Sequence, residues 1–223
     1  MKKIFLAIIL MLIAGCTQVK DFKYGAKQIV ELNSKYGVNM ETYPDDVPKI
    51  ESMLEDYKEL KKLQLEKGQE PFTYVVDYRI LNLEAEKLYI QGQKYGASGT
   101  TADGFGCKQR PLIIESVALR NSSAKKGFAA VDLLMGFIEK YPTEASLANL
   151  SYKNALFLNA TFYRISRDAL RDSGVINNFC PSNVTLTLYK EEFRKVSNLS
   201  EDFIRSLTYE EAVPIWKEIR GIR

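Results

Sequence analysis

Apolar residues recur along this chain at the three- and four-residue intervals of helices, and almost nowhere at the alternation of a half-buried strand. Phe22, Ala26, Ile29 and Leu32 predict a helix over residues 21–35, closed by Lys35-Tyr36-Gly37, with a cation near its last carbonyls and a glycine to turn left-handed. Tyr43-Pro44-Asp45-Asp46-Val47-Pro48 reads as a turn and helix start, capped by Asp45 or Asp46. Ile50, Met53, Leu54, Tyr57 and Leu60 then form one face, and Glu51, Glu55, Lys58, Glu59, Lys61 and Lys62 the solvated ones, as far as Gly68. Pro71 opens a helix to about Tyr95, stopped at Lys94-Tyr95-Gly96. Its two apolar stripes, one through Phe72, Val76 and Leu83 and one through Tyr74, Leu81 and Leu88, make it central.

Residues 111–140 are predicted helical, as one rod or broken at Asn121-Ser122-Ser123. Thr143 can cap a further long helix to about Arg171, stopped by Ser173-Gly174 and carrying Leu147, Leu150, Leu158, Phe162 and Ile165. Val184 to Leu188 alternates like a strand, yet Leu186, Tyr189, Phe193 and Val196 fit a helix and no partner strand is present, so a helix is expected. Thr208 with Glu211 makes a capping box for a last helix, which Pro214 should kink. The expected fold is all-α: six or seven helices in one irregular bundle, a single domain over residues 21–223.

Ahead of these helices lies a different pattern. Lys2 and Lys3 precede eleven uninterrupted apolar residues, Ile4 to Ala14, and the run ends in Ile13-Ala14-Gly15-Cys16. That length suits a signal-peptide core and falls short of the ~20 residues that cross a bilayer as a helix. The ending resembles the lipobox of prokaryotic lipoproteins. The resemblance implies a signal peptide over residues 1–15, diacylglycerol on the Cys16 thiol, a tether over residues 16–20, and a body held at the extracytoplasmic face of a membrane.

Composition removes several kinds of chemistry. The chain has no histidine, so the commonest general base and metal ligand is missing, and with it every Cys–His zinc motif and Ser-His-Asp arrangement. The formal charge of +3 falls once Lys2 and Lys3 leave with the signal, too little for a nucleic-acid footprint. No cofactor or metal is expected. With Cys16 committed to lipid, Cys107 and Cys180 remain, both in loop-like surroundings. An even number in an exported chain favours a disulfide over two unpaired buried thiols.

Smaller motifs add little chemistry. The stretch from Gly96 to Gly106 is rich in small residues but lacks the Gly-Lys-Ser/Thr ending of a phosphate loop, so it reads as a connector. The pairs Asp45/Asp46, Glu191/Glu192 and Glu210/Glu211 stand at helix starts or on charged faces, where the helix dipole accounts for them. Asn-x-Ser/Thr sequons occur at Asn121, Asn149, Asn159, Asn183 and Asn198, more than the roughly one expected by chance. Beside a prokaryotic lipobox, this excess fits a glycosylated archaeal surface better than a bacterial periplasm. Asn149 and Asn159 fall inside an expected buried helix, which leaves Asn121, Asn183 and Asn198 as the better acceptors.

The segment from Gly127 to Ala169 resembles part of a tetratricopeptide-like hairpin. Its Phe137-Ile138-Glu139-Lys140-Tyr141-Pro142-Thr143 is similar to the aromatic-Pro junction in lipoproteins of outer-membrane assembly, and Glu41-Thr42-Tyr43-Pro44 is a fainter copy. No ladder of small residues recurs at a spacing of about 34 residues. The expected function is therefore binding: a lipid-anchored helical interaction module or scaffold with a protein partner at the envelope. A small-molecule-binding lipoprotein is the alternative, and a carboxylate-dependent envelope hydrolase a remote one.

Overall fold

Three local signals in the sequence account for three of the helix ends. Helix α1, over residues 22–35, closes in a Schellman arrangement: Val38 N–H donates to Asn33 O at 3.1 Å and Gly37 N–H to Ser34 O at 3.0 Å, with Gly37 at φ 69°. Asp46 caps α2, Val47–Glu66, by accepting from Lys49 N–H at 2.7 Å. The capping box before the last helix is formed as read: Thr208 N–H donates to Glu211 Oε2 at 2.8 Å and Glu211 N–H to Thr208 Oγ1 at 3.3 Å.

The computed structural model describes residues 22–40, 42–66, 70–101, 104–105, 109–179 and 201–220. Besides α1 and α2 these hold α3, Glu70–Gly99; α4, Arg110–Lys140; α5, Pro142–Leu147; α6, Tyr152–Phe179; α7, Glu201–Ser206; and α8, Tyr209–Arg220, with Pro214 inside it. Six of the eight run twelve residues or more, so the fold is the all-α irregular bundle that the periodicity predicts. Gly68 and the segment around Val184 to Leu188 lie outside the described residues.

Each long helix packs on the one before it and runs antiparallel to it. Gln28 meets Gln64 across α1 and α2. Lys61–Asp77 and Lys87–Glu51 join α2 to α3, and Lys140–Glu70 and Lys126–Glu84 join α3 to α4. Arg120–Asp172 at 2.6 Å joins α4 to α6, and α7 and α8 lie on α6. The main core runs through all of these layers, from Phe22 and Ile29 through Tyr57, Phe72 and Leu134 to Leu156, Ile204 and Ala212. The long helices are amphipathic on more than one face because all but the outermost pack on both sides.

The structure differs from the sequence reading at several helix boundaries and decides between the two alternatives left open for residues 111–140. Helix α3 does not stop at Gly96 but continues to Gly99, because Gly92, Gly96 and Gly99 form the strip against which α4 lies. A Cβ at Gly92 would come within 2.9 Å of Arg120 Cγ, one at Gly96 within 3.0 Å of Ser116 Oγ, and one at Gly99 would overlap Ile113 Cδ1. The connector after it is a tight hairpin, with β1 (Thr100–Thr101) antiparallel to β2 (Gly104–Phe105). Helix α4 passes unbroken through Asn121-Ser122-Ser123, with Ser123 buried. Ser173-Gly174 is likewise passed by α6.

The helix expected from Thr143 to Arg171 is two. Helix α5 ends in a second Schellman arrangement whose left-handed residue is Asn149, at φ 58°: Leu150 N–H donates to Ala145 O and Asn149 N–H to Ser146 O. Ser151 and Asn154 then start α6, with Ser151 N–H and Oγ–H both donating to Asn154 Oδ1, at 2.8 and 2.7 Å. Leu147, read as part of an apolar stripe, is consequently exposed, while Leu150 is buried. The aromatic-Pro junction does link two helices, Tyr141 standing between α4 and Pro142 of α5. With 31 residues in α4 alone, the helices are too long for a repeat of about 34 residues.

Candidate functional site

A groove of about 560 Å³ opens where α2, α3 and α4 meet. Helix α2 contributes Glu51, Ser52, Leu54, Glu55 and Lys58, which recur every three or four residues and so share a face. Helix α3 contributes Glu84, Lys87 and Leu88, and α4 contributes Lys126. Two ion pairs cross between helices along its walls, Lys87–Glu51 at 2.6 Å and Lys126–Glu84 at 2.5 Å. Lys58–Glu55, at 2.7 Å, lies along α2 itself. Leu54, buried, and Leu88, half-buried, supply the apolar part.

The charges of this lining are mutually paired. Every carboxylate in it is engaged by a lysine, and the one hydroxyl, Ser52 Oγ, donates to Pro48 O at 3.1 Å. Charges of both signs thus surround the apolar side chains of Leu54 and Leu88.

A second polar assembly lies in the core and was missed from the sequence. Arg79 of α3 is fully buried, and among the described residues no carboxylate pairs with it within 4 Å. Its guanidinium donates to three backbone carbonyls of the α1–α2 connection: Thr42 O at 2.7 Å, Asn39 O at 2.8 Å and Met40 O at 3.1 Å. The Tyr43 ring lies 4.7 Å from its central carbon. Tyr57 O–H donates to Asn33 Oδ1 at 3.0 Å beside it, and burial pushes the Tyr57 phenol pKa up, against the pull of Arg79.

Further along α3, buried Asn82 has neither amide atom bonded, and burial raises the Glu86 carboxyl above the usual range, partly offset by Arg79. Of these groups, it is Arg79 that bonds the α1–α2 connection. The sequence signal was available: Phe72, Val76, Arg79 and Leu83 follow the spacing of one buried stripe, with a cation in an apolar position.

The residues singled out by sequence that fall among the described ones do not converge. Cys16, Cys107, Cys180, Asn183, Asn198, Glu191 and Glu192 lie outside the described residues. Asn121 is half-buried midway along α4, a poor position for a glycan acceptor. Of the two sequons set aside as helical and buried, Asn159 is 1% exposed in α6, but Asn149 stands exposed in the α5–α6 turn.

Asp46 and Glu211 are caps, and their carboxyls are held below the usual range chiefly by the backbone N–H groups of Lys49 and Thr208. Among the described residues no three Cys, Asp or Glu side chains gather as metal ligands. Comparison with models of protein families, with functionally described proteins and with solved structures finds no match to this chain.

Proposed function

We propose that the chain is a lipid-anchored extracytoplasmic helical module, attached through Cys16, that binds a protein partner at the cell envelope with the α2–α3–α4 groove. The observation that carries this reading is the groove's construction: an open trough whose walls are cross-helix ion pairs, with Leu54 and Leu88 between them. Small-molecule sites are mostly enclosed and apolar, with a few converging polar groups. Here the groove is open and six of its nine lining residues are charged, which supports a protein surface over a solute. The short run before Cys16 supports an anchor of lipid, and no described helix is long and apolar enough to cross a membrane.

A photo-crosslinking residue in place of Ser52, in the membrane-anchored protein, tests the proposal. A discrete adduct is expected, and it should disappear in the swapped variant Glu51→Lys with Lys87→Glu. That swap keeps an internal ion pair, and hence the fold, while inverting the wall presented to a partner. An adduct that persists in the swapped variant, or no adduct at all, counts against the groove as the binding surface.

A further inference from the structure

Three large apolar side chains stand exposed where α1 begins and α2 ends: Tyr24 at 57%, Leu63 at 53% and Leu65 at 55%. They share one end of the bundle, because α1 and α2 are antiparallel and Gln28 bonds Gln64 across them at 2.6 Å. Tyr24 lies in the first turn of α1, and Leu63 and Leu65 in the last turn of α2. We infer that this tip is a second membrane contact, seated in the headgroup region of the bilayer that holds Cys16. The inference rests on the lipid-anchored reading.

The tether supplies the first reason. Phe22 is buried and stacks on Phe137 with ring centroids 6.0 Å apart, so the chain leaves the body at a fixed point. From there to Cys16 is six residues, which span about 20 Å at full extension. The end carrying Tyr24, Leu63 and Leu65 is therefore held within reach of the headgroups.

The arrangement of the side chains supplies the second. Leu63 and Leu65 flank Gln64, and at about 100° per residue they project to opposite sides of the α1–α2 seam. A protein docked on one face would cover only one of them, whereas a surface met end-on takes both. Tyr24 has the apolar body and polar tip favoured at a membrane interface.

Cations predominate at this tip, with exposed Glu59 one turn before Leu63. Exposed Lys23, Lys27 and Lys62 surround the tip, and their stems can lie along apolar surface while the ammonium stays wet. The nearby Glu70 and Asp77 are neutralised by Lys140 and Lys61, and Glu31 faces Lys27 at 3.6 Å. The groove residues Glu84 and Lys87 lie 14 and 17 residues along α3 from Glu70, or about 20–25 Å up the helix. Docking by the tip would leave the groove facing away from the membrane.

The test uses the mature chain with Cys16→Ser, which carries no lipid, and sedimentation with vesicles of phosphatidylcholine alone or mixed equally with phosphatidylglycerol. Binding to the vesicles is expected without the anchor. Leu63→Ser with Leu65→Ser should lower the partition about 30-fold, since each half-exposed leucine withdrawn from water is worth roughly a fivefold change. The distant pair Lys94→Gln with Lys125→Gln should leave it unchanged. Thermal unfolding that matches the parent would confirm that these exposed positions do not alter the fold. No vesicle binding by the parent, an equal partition for the leucine variant, or an equal loss from the lysine pair overturns the inference. The mass of Cys16 in protein from native membranes reports separately on the anchor: an unmodified thiol would sink the lipid-anchored reading whatever the vesicles show.

Discussion

Replacing Arg79 by Met removes the guanidinium and keeps most of the stem volume, so it isolates what the buried cation contributes. Three charge-assisted hydrogen bonds to the carbonyls of Asn39, Met40 and Thr42 are lost, each worth about 1.5–3 kcal/mol net of water. Against this stands the cost of holding a guanidinium out of solvent, which is several kcal/mol even after relaxation. Asn39 and Thr42 are exposed, so water can reach part of what Arg79 leaves behind. The balance is a destabilisation of about 2–4 kcal/mol, or a Tm lower by about 5–15 °C for a chain of this size. Urea unfolding followed by helical circular dichroism gives the first number, and amide exchange in residues 38–43 shows whether the loop is what loosens. Arg79→Lys should cost nearly as much, because one ammonium cannot reach three carbonyls placed for a planar fork. If Arg79→Met stays within about 0.5 kcal/mol of the parent and loop exchange is unchanged, the hub does not hold the loop and the reasoning fails.

Two helical glycines should respond in opposite directions to alanine. At Gly127 a Cβ would overlap the Phe162 ring, so Gly127→Ala should cost about 1–3 kcal/mol, whereas Gly174, with nothing within 4 Å, should gain up to about 1 kcal/mol; denaturant midpoints decide. The Glu86 carboxyl is raised by burial, so its ionisation opposes folding at pH values above the ordinary carboxylate range and has no effect below it, where the group is neutral in both states. Glu86→Gln should therefore raise Tm at neutral pH and lose that advantage in acid; an equal gain at both would show that charge is not the cause. A Cys107–Cys180 bond would add about 4 kcal/mol through the loop it closes, and the denatured, unreduced mature protein should then take up no thiol reagent. Two labelled thiols per chain would exclude the bond.

What could be read from the sequence and what could not separate along one physical line. Signals that act within a few residues were legible: Asp46 reaching Lys49 N–H, Gly37 turning left-handed, Thr208 exchanging bonds with Glu211. The break at Asn149 belongs to the same class and was passed over because the apolar spacing around it, from Leu147 to Leu158, fits one continuous helix. Signals that depend on a second helix were not legible. Lys94-Tyr95-Gly96 has the composition of a helix end, yet Gly96 is there to admit Ser116, and close packing against α4 outweighs the modest cost of glycine in a helix.

The groove belongs to that second class. Glu51, Glu55 and Lys58 read correctly as a solvated face of α2, which any exposed helix would carry. They become a surface with a defined pattern only because α3 brings Lys87 to Glu51 and α4 brings Lys126 to Glu84. Exposed ion pairs of this kind contribute little to stability, typically below about 1 kcal/mol. Their placement across helix boundaries is therefore poorly explained as support for the fold. On the proposed reading, the pairs that line the groove form a pattern of charge held for another molecule, which is why exchanging the partners of one pair is a sharper probe of that proposal than deleting either.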